Sequence, residues 1–241
     1  MPDPGGSDVL QSLWLVVFII GIPLALVGAW WLQRKRTERL TAWATATGWR
    51  FEGSDPSLTQ RWTGQPFGQG DSRRATEVLR GHFQGMPATS FTYRWTTGSG
   101  KNRTTFVRHV VALDLPAYLP TVELTPDGLG AKLAKVIGGQ DIQFESDDFN
   151  RAWRVESRDL AVAHAIVNPQ LMERLLRSDA TGECLRIEGT SIVSWAPGAT
   201  DTDTLARRLG LLVAVAHAIP RHVWMDHGYD PMTDQTTRGN S

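Results

Sequence analysis

The stretch Ala75–Leu113, ATEVLRGHFQGMPATSFTYRWTTGSGKNRTTFVRHVVAL, decides the fold class. It divides into three runs with strand composition, Ala75–Phe83, Ala88–Trp95 and Thr105–Leu113. Between them lie Gly85–Pro87 and Thr97–Asn102, which carry turn chemistry. Phe91, Tyr93 and Trp95 share one face of the second run, and Val107, His109, Val111 and Leu113 share one face of the third, the period of two that a pleated strand imposes. Three strands joined by two turns make an antiparallel meander.

Working outward, Trp49–Glu52 alternates as a strand, and Asp55-Pro56 and Gly64–Gly68 are turns around a brief helical turn near Leu58 and Trp62. Beyond the meander, Leu115–Leu124 contains Pro116 and Pro120 and is expected to be an edge strand or an extended connection, because proline cannot donate to a ladder. Thr125-Pro126 then opens a predicted helix with Leu129, Leu133, Val136 and Ile137 on its buried stripe, ended by Gly138-Gly139. Short strands at Ile142–Glu145 and Arg151–Ser157 flank an acidic turn, Asp147–Asn150, with Trp153 and Val155 inward and Arg154 and Glu156 outward. A helix over Asp159–Val167 precedes a second one that Asn168 caps and Pro169 starts, burying Leu171, Met172, Leu175 and Leu176. Cys184–Glu188 and Ser191–Trp195 read as a hairpin turned at Gly189-Thr190. The last helix begins near Thr200 or Asp201, carries Leu205, Leu209, Leu212, Val213 and Ala216 inward, and stops at Pro220. Strands and helices come in blocks, so the class is α+β with antiparallel sheet and packed helices.

Upstream, Leu13–Leu32 (LWLVVFIIGIPLALVGAWWL) holds no charged residue. As a helix it spans roughly 30 Å, the thickness of a bilayer's hydrocarbon core, and is read as a single transmembrane helix. Arg34, Lys35, Arg36 and Arg39 follow it, whereas Met1–Ser12 carries only Asp3 and Asp8, which places the N-terminus outside and the rest in the cytoplasm. The same cations are expected to meet anionic headgroups. Trp14, Trp30 and Trp31 suit the two interfaces, and Gly21, Ala25 and Ala29 at intervals of four leave room for a weak homodimer. The expected organisation is thus an extracytoplasmic segment 1–12, the transmembrane helix 13–32, a basic juxtamembrane helix 33–48, a soluble α+β domain 49–222 and a disordered tail 223–241. In the juxtamembrane helix Leu40, Trp43, Ala44 and Thr47 form one stripe and Gly48 is the stop.

A formal net charge of zero lacks the electrostatic footprint of a nucleic-acid binder. The single cysteine, Cys184, excludes an intrachain disulfide and reads as a small buried hydrophobe. Gly98–Asn102 ends like a phosphate-binding loop, but Trp95 and Asn102 stand where that loop needs Gly and Ser or Thr, and it joins two strands. His217, His222 and His227, with Asp226 and Asp230, are the densest set of metal-ligand types, yet a spacing of five scatters them around a helix. His82, His109 and His164 are isolated and read as surface residues, and Glu145, Asp147 and Asp148 as solvated carboxylates. Neither a Gly-x-Ser-x-Gly elbow nor a His-Glu-x-x-His helix occurs. No catalytic residue is assigned, and no cofactor or metal is expected.

Phe144–Val155 (FESDDFNRAWRV), Ala163-His164, Asn168-Pro169 and Leu171–Leu176 (LMERLL), with Gly48–Phe51, Arg61–Phe67 and Leu79–Gly81 upstream, resemble a bacterial, largely actinobacterial, family of membrane-anchored proteins of unknown function. The resemblance runs from about Trp49 to the last helix and implies a fold and a place, with no substrate attached. The reading that follows is a membrane-tethered, cytoplasm-facing interaction or scaffolding module. The alternative is a membrane-associated enzyme or ligand-binding sensor whose site is assembled from scattered residues.

Overall fold

The computed structural model describes residues 21–127 and 140–233. Helix α1 (Ile22–Thr47) leads into β1 (Arg50–Ser54), β2 (Asp71–Phe83), β3 (Met86–Thr97) and β4 (Thr104–Pro126). Then come β5 (Gln140–Ile142), α2 (Asp147–Ala152), β6 (Trp153–Ser157), α3 (Leu160–Ile166), α4 (Pro169–Leu175), β7 (Cys184–Pro197), α5 (Thr202–Ala218) and α6 (Arg221–Asp226). All strands join one antiparallel sheet ordered β1-β2-β3-β4-β6-β5, with β7 on the other edge of β4. The meander is present, and the architecture is α+β.

β4 overturns the edge-strand expectation for Leu115–Leu124. Its first half pairs with β3 from Thr104 to Leu113, its last five residues pair with β6, and β7 accompanies both halves. Pro116 and Pro120 sit where the β7 ladder skips, between the pairs Asp114↔Ser191, Leu119↔Gly189 and Val122↔Ile187. A central strand tolerates proline at such an irregularity because no ladder bond is asked of it. β7 bends at the same level through Gly189, whose φ of +62° few other residues adopt. The predicted hairpin at Gly189-Thr190 is therefore one continuous strand, because both of its halves find their partner in β4.

Two apolar layers cover the sheet. The larger holds Leu79, Val111, Leu113, Leu119, Leu124, Val155, Leu185, Ile187 and Ile192 against α3, α4, α5 and the end of α1. On the opposite face of β3, β4 and β7 lies an aromatic layer of Leu58, Trp62, Phe67, Val78, Phe91, Tyr93, Trp95, Val110, Val193 and Trp195. Alternate residues of the same strands thus serve two cores, and neither face of the meander is left to water.

The caps read from sequence act as expected. Asp159 accepts from Val162 N and Asn168 from Leu171 N, each at 3.0 Å. The acidic stretch, expected as a turn, is the first turn of α2. Ser146 Oγ caps it by accepting from Phe149 N, and Asp147 and Asp148 lie at the positive end of the helix dipole. The preceding strand is Gln140–Ile142 rather than Ile142–Glu145. Glu156, placed outward by alternation, is buried, because that face of β6 carries an ionic ladder: Arg154 Nε reaches it at 2.8 Å beside Glu123.

The expected tail also folds in part. α6 buries Val223 and Trp224, Tyr229 meets the Trp224 ring edge-on at 5.7 Å, and Arg221 Nη2 holds Asp230 at 2.9 Å. Apolar rings offset the ordering cost of this segment through Thr233. Residues 234–241 and the predicted helix stripe Leu129–Ile137 lie outside the described residues.

No helix among the described residues is long and apolar enough to cross a membrane. Of the expected span, 13–20 lie outside the described residues, and 21–32 are described and exposed. The juxtamembrane helix is not a separate element. It is the C-terminal half of α1, ended by Gly48, with Leu40 and Ala44 buried against the domain.

Trp153 is inward as predicted, 5% exposed, and its Nε1 donates to Leu175 O at 3.1 Å. Trp153→Ala is expected to cost about 3–5 kcal/mol. Asp147→Ala with Asp148→Ala should cost less than about 2 kcal/mol, the scale of dipole contributions at a helix start. Thermal unfolding of the three proteins checks the order.

Candidate binding groove

The aromatic layer does not close at its outer end. Gln65, Pro66 and Gln69 from the loop before β2, Trp95 and Thr97 from β3, Phe106 and Arg108 from β4, and Gly182, Cys184, Trp195 and Pro197 around β7 enclose a half-open groove of about 380 Å³. That volume falls within the range of small-ligand sites.

Each wall has a local cause. The alternation that puts Phe91, Tyr93 and Trp95 on one face carries the row to the strand end, where Trp95 stacks on Phe106 with centroids 5.1 Å apart and planes within 16°. The loop wall is pinned by a buried arginine. Arg186, 1% exposed, donates from Nη2 to Gln65 O at 2.7 Å and to Glu123 Oε2 at 2.6 Å, and from Nη1 to Thr63 O. Its guanidinium also lies 5.0 Å from the Trp195 ring centre. Thr63 N and Oγ1 bond Glu188 at 3.0 and 2.7 Å, and Trp62 Nε1 donates to Ser191 Oγ at 2.8 Å. The loop returns to β2 through Gly70, where a side chain is forbidden: its φ is +55°, and a Cβ would stand 2.2 Å from Thr96 O.

The electrostatics of the two faces differ. Burial pushes the Glu123 carboxyl up, against the pull of Arg186, with Glu156 and Glu188 adding to the rise. Burial also pushes the Cys184 thiol up to about 12, with Glu123 and Glu183 reinforcing it. Cys184 therefore lines the groove as a thiol held toward its protonated form. Arg108 is the one charged residue among those lining the groove. It sits 5.6 Å from the Trp95 ring centre and donates to Val107 O at 3.0 Å. No carboxylate among the described residues pairs with it.

Beneath the other face runs a polar seam. Arg208 of α5, 1% exposed, bonds Glu183 at 2.9 Å, His109 O at 3.1 Å and Ser194 Oγ at 2.9 Å. Arg36 of α1 pairs with Glu77 and donates to Thr200 O at 2.7 Å, while Thr92 Oγ1 also donates to Glu77. Glu77 stands in the β2 bulge with φ +55°. Burial works against its charge, but the hydrogen bonds from Arg36 and Thr92 hold its carboxyl below the ordinary value. Arg36, expected among the headgroup contacts, is thus turned back on the domain.

The other residues singled out from sequence do not converge. No group of three or more His, Cys, Asp or Glu among the described residues is placed to hold a metal ion. His227 Nδ1 lies 2.8 Å from Val223 O, and Asp230 is taken by Arg221. Asp148 pairs with Arg151, His164 packs on Phe144, and Gly98–Asn102 is the loop between β3 and β4. His109, read as a surface residue, is buried at 3% exposure, because the seam side of β4 is covered by α5. Of the groove residues, Gln65, Pro66 and Thr97 read from sequence as turn, Trp95 and Trp195 as strand and Cys184 as a buried hydrophobe, none of them as a site. The available signal was the crowding of aromatics at 62–67, 91–106 and 195.

With this geometry in hand, comparison with known proteins adds a fold. No family model matches the chain, and no curated protein does. Among solved structures, the crystal structure of the mycobacterial trehalose monomycolate transport factor A, TtfA, is similar over 76% of this chain and 96% of its own, with a TM-score of 0.55 and 16% identity. At that identity the likeness is one of fold.

His109 yields a prediction. Its Nε2 lies 2.8 Å from Ser90 Oγ, and burial, with Arg208 and Arg36 nearby, pushes its pKa down to about 3. An unfolded histidine titrates near 6.5, so between these values the unfolded chain binds the extra proton and stability falls as pH falls, by at most about 1.4 kcal/mol per pH unit. His109→Gln keeps a hydrogen-bonding group toward Ser90 and removes the proton uptake. Its melting temperature should decline less steeply than the parent's from pH 6.5 to pH 4, as followed by circular dichroism.

Proposed function

We propose that the chain is a membrane-tethered, non-catalytic interaction module whose domain faces the cytoplasm and whose N-terminus lies outside. The observation that carries this reading is the exposed first half of α1. Leu24, Leu26, Val27, Trp30, Trp31 and Leu32 are all at least half exposed on a helix that continues, unbroken, into the docked half. A run of large apolar side chains without a protein partner marks an interaction surface, and its sequence neighbour is the charge-free segment beginning at Leu13. Arg34 and Lys35 lie over Trp30 and Trp31, the pairing of cation and indole that suits a headgroup layer.

The docked half gives the tether a consequence. Leu40 and Ala44 are buried, Trp43 meets Trp49 at 5.6 Å, and Arg36 bridges to Glu77 and Thr200. The domain is held to its anchor by packing, with no flexible linker between, so its orientation to the bilayer is set. TtfA, of similar fold, is named for transport of trehalose monomycolate, which is compatible with an interaction role. A second reading, ligand binding, is favoured by the groove.

Cells expressing the full chain should retain it in the membrane pellet after alkaline carbonate washing, and a phosphatase fused after Ser241 should be inactive. Recovery in the wash removes the tether from the proposal, and an active fusion reverses its orientation. Glu77→Ala should leave the chain in the pellet but free α1 from the domain, read as faster amide hydrogen exchange over residues 36–44, with a stability loss of about 1–3 kcal/mol.

A further inference from the structure

We infer that the groove between the 65–69 loop and the ends of β3, β4 and β7 is a binding site for a single-chain anionic lipid, its acid group on Arg108 and its chain along Trp95, Phe106 and Trp195. This goes beyond the tether and does not depend on it, because none of the lining residues belongs to α1.

Three features select that occupant. The first is charge. Arg108 is half-buried, and among the described residues its guanidinium makes one hydrogen bond, to the neighbouring Val107 carbonyl, with no acidic side chain lining the groove or pairing with it. Buried and half-buried arginines on either face of the sheet are matched: Arg186 by Glu123 and Arg61 by Asp114 on this face, and Arg208 by Glu183 on the other. A guanidinium that keeps donors free at the rim of an apolar cleft is a receptor for a carboxylate or phosphate, which it binds through paired donors.

The second is the state of the aromatic rings. A sugar or another flat ring would need an open indole face. Trp95 is already stacked on Phe106, tilted against Tyr93 at 5.5 Å and faced by Arg108, while Trp195 is met by Phe67 and by Arg186. The rest of the lining is Phe106, Pro66, Pro197 and the Cys184 thiol. Such a lining suits a flexible hydrocarbon, which needs apolar contact and no particular stacking plane.

The third is size and rigidity. About 380 Å³, half-open, is small for a ligand site, and accommodates one chain rather than two. Its loop wall is pre-set by Arg186, Glu188 and Ser191, so little ordering is left for the ligand to cause.

The probe is a palmitate analogue carrying a diazirine near the middle of its chain, photolysed with the full chain in phosphatidylcholine nanodiscs at limiting probe concentration. Matched arms use the corresponding primary amide, which is neutral, and a diazirine lysophosphatidic acid, which separates a phosphate headgroup from a carboxylate. Peptide mapping of the parent should place the adducts on the groove segments 65–69, 95–106 and 184–197. Arg108→Gln should lower labelling of those segments by the anionic probes at least tenfold while leaving the melting temperature within a few degrees, and the amide should label them weakly in both proteins. Labelling by one anionic probe alone identifies the headgroup and supports the site. Equal labelling by amide and acid, an Arg108→Gln protein that labels like its parent, or adducts confined to residues 22–32 would overturn the proposal. The last result would leave the tether standing, so the two readings fail separately.

Discussion

Everything in this fold hangs on the pairing of β4 with β7. The two strands run side by side from Arg108↔Pro197 to Leu124↔Leu185. They bend together where Pro116, Pro120 and Gly189 suspend regular pairing. On one side of that bend β4 offers its free edge to β3 and the meander, on the other to β6 and the short helices. Both strands place residues in both layers, Val111, Leu113, Leu185 and Ile187 in the helix layer and Val110, Val193 and Trp195 in the aromatic one, so this ladder ties the two layers together.

Three arginines, Arg186 and Arg208 buried and Arg36 half-buried, then attach the coverings to this spine. Arg186 fastens the loop carrying Trp62 and Phe67, Arg208 fastens α5, and Arg36 fastens α1. In each case the guanidinium joins a carboxylate to a backbone carbonyl of another element, which its several donors in one plane allow. Removing ions from water is expensive, and these sites offset the expense with nearly complete hydrogen bonding. Arg108 departs from this pattern: it is cationic, partly withdrawn from water and unmatched by any carboxylate among the described residues. The difference is what sets the groove apart from the structural ion pairs around it.

The α1 seam fixes the first helix to the sheet. Glu77 occupies a backbone conformation uncommon for a residue with a side chain, and in doing so presents its carboxylate to Arg36 and Thr92 together. A helix so fixed transmits the orientation of its exposed apolar half to the whole sheet, and with it the direction in which the groove opens.

Local signals were legible from the chain alone. The meander came from period-two alternation, the starts of α3, α4 and α5 from Asp159, Asn168 and Asp201, the end of α1 from Gly48 and that of α5 from Pro220, because caps and periodicity act within a few residues. Tertiary contact decided the rest. Whether Leu115–Leu124 was an edge or a centre, whether Gly189 was a turn or a bend, and whether Trp224 was ordered depended on partners up to a hundred residues away. So did the groove: Gln65, Trp95, Arg108 and Trp195 have no shared motif, and each alone reads as loop, core or surface. Their meeting is a property of the bent β4–β7 pair, since only a sheet that brings distant strand ends together can align an unpaired cation with an apolar cleft.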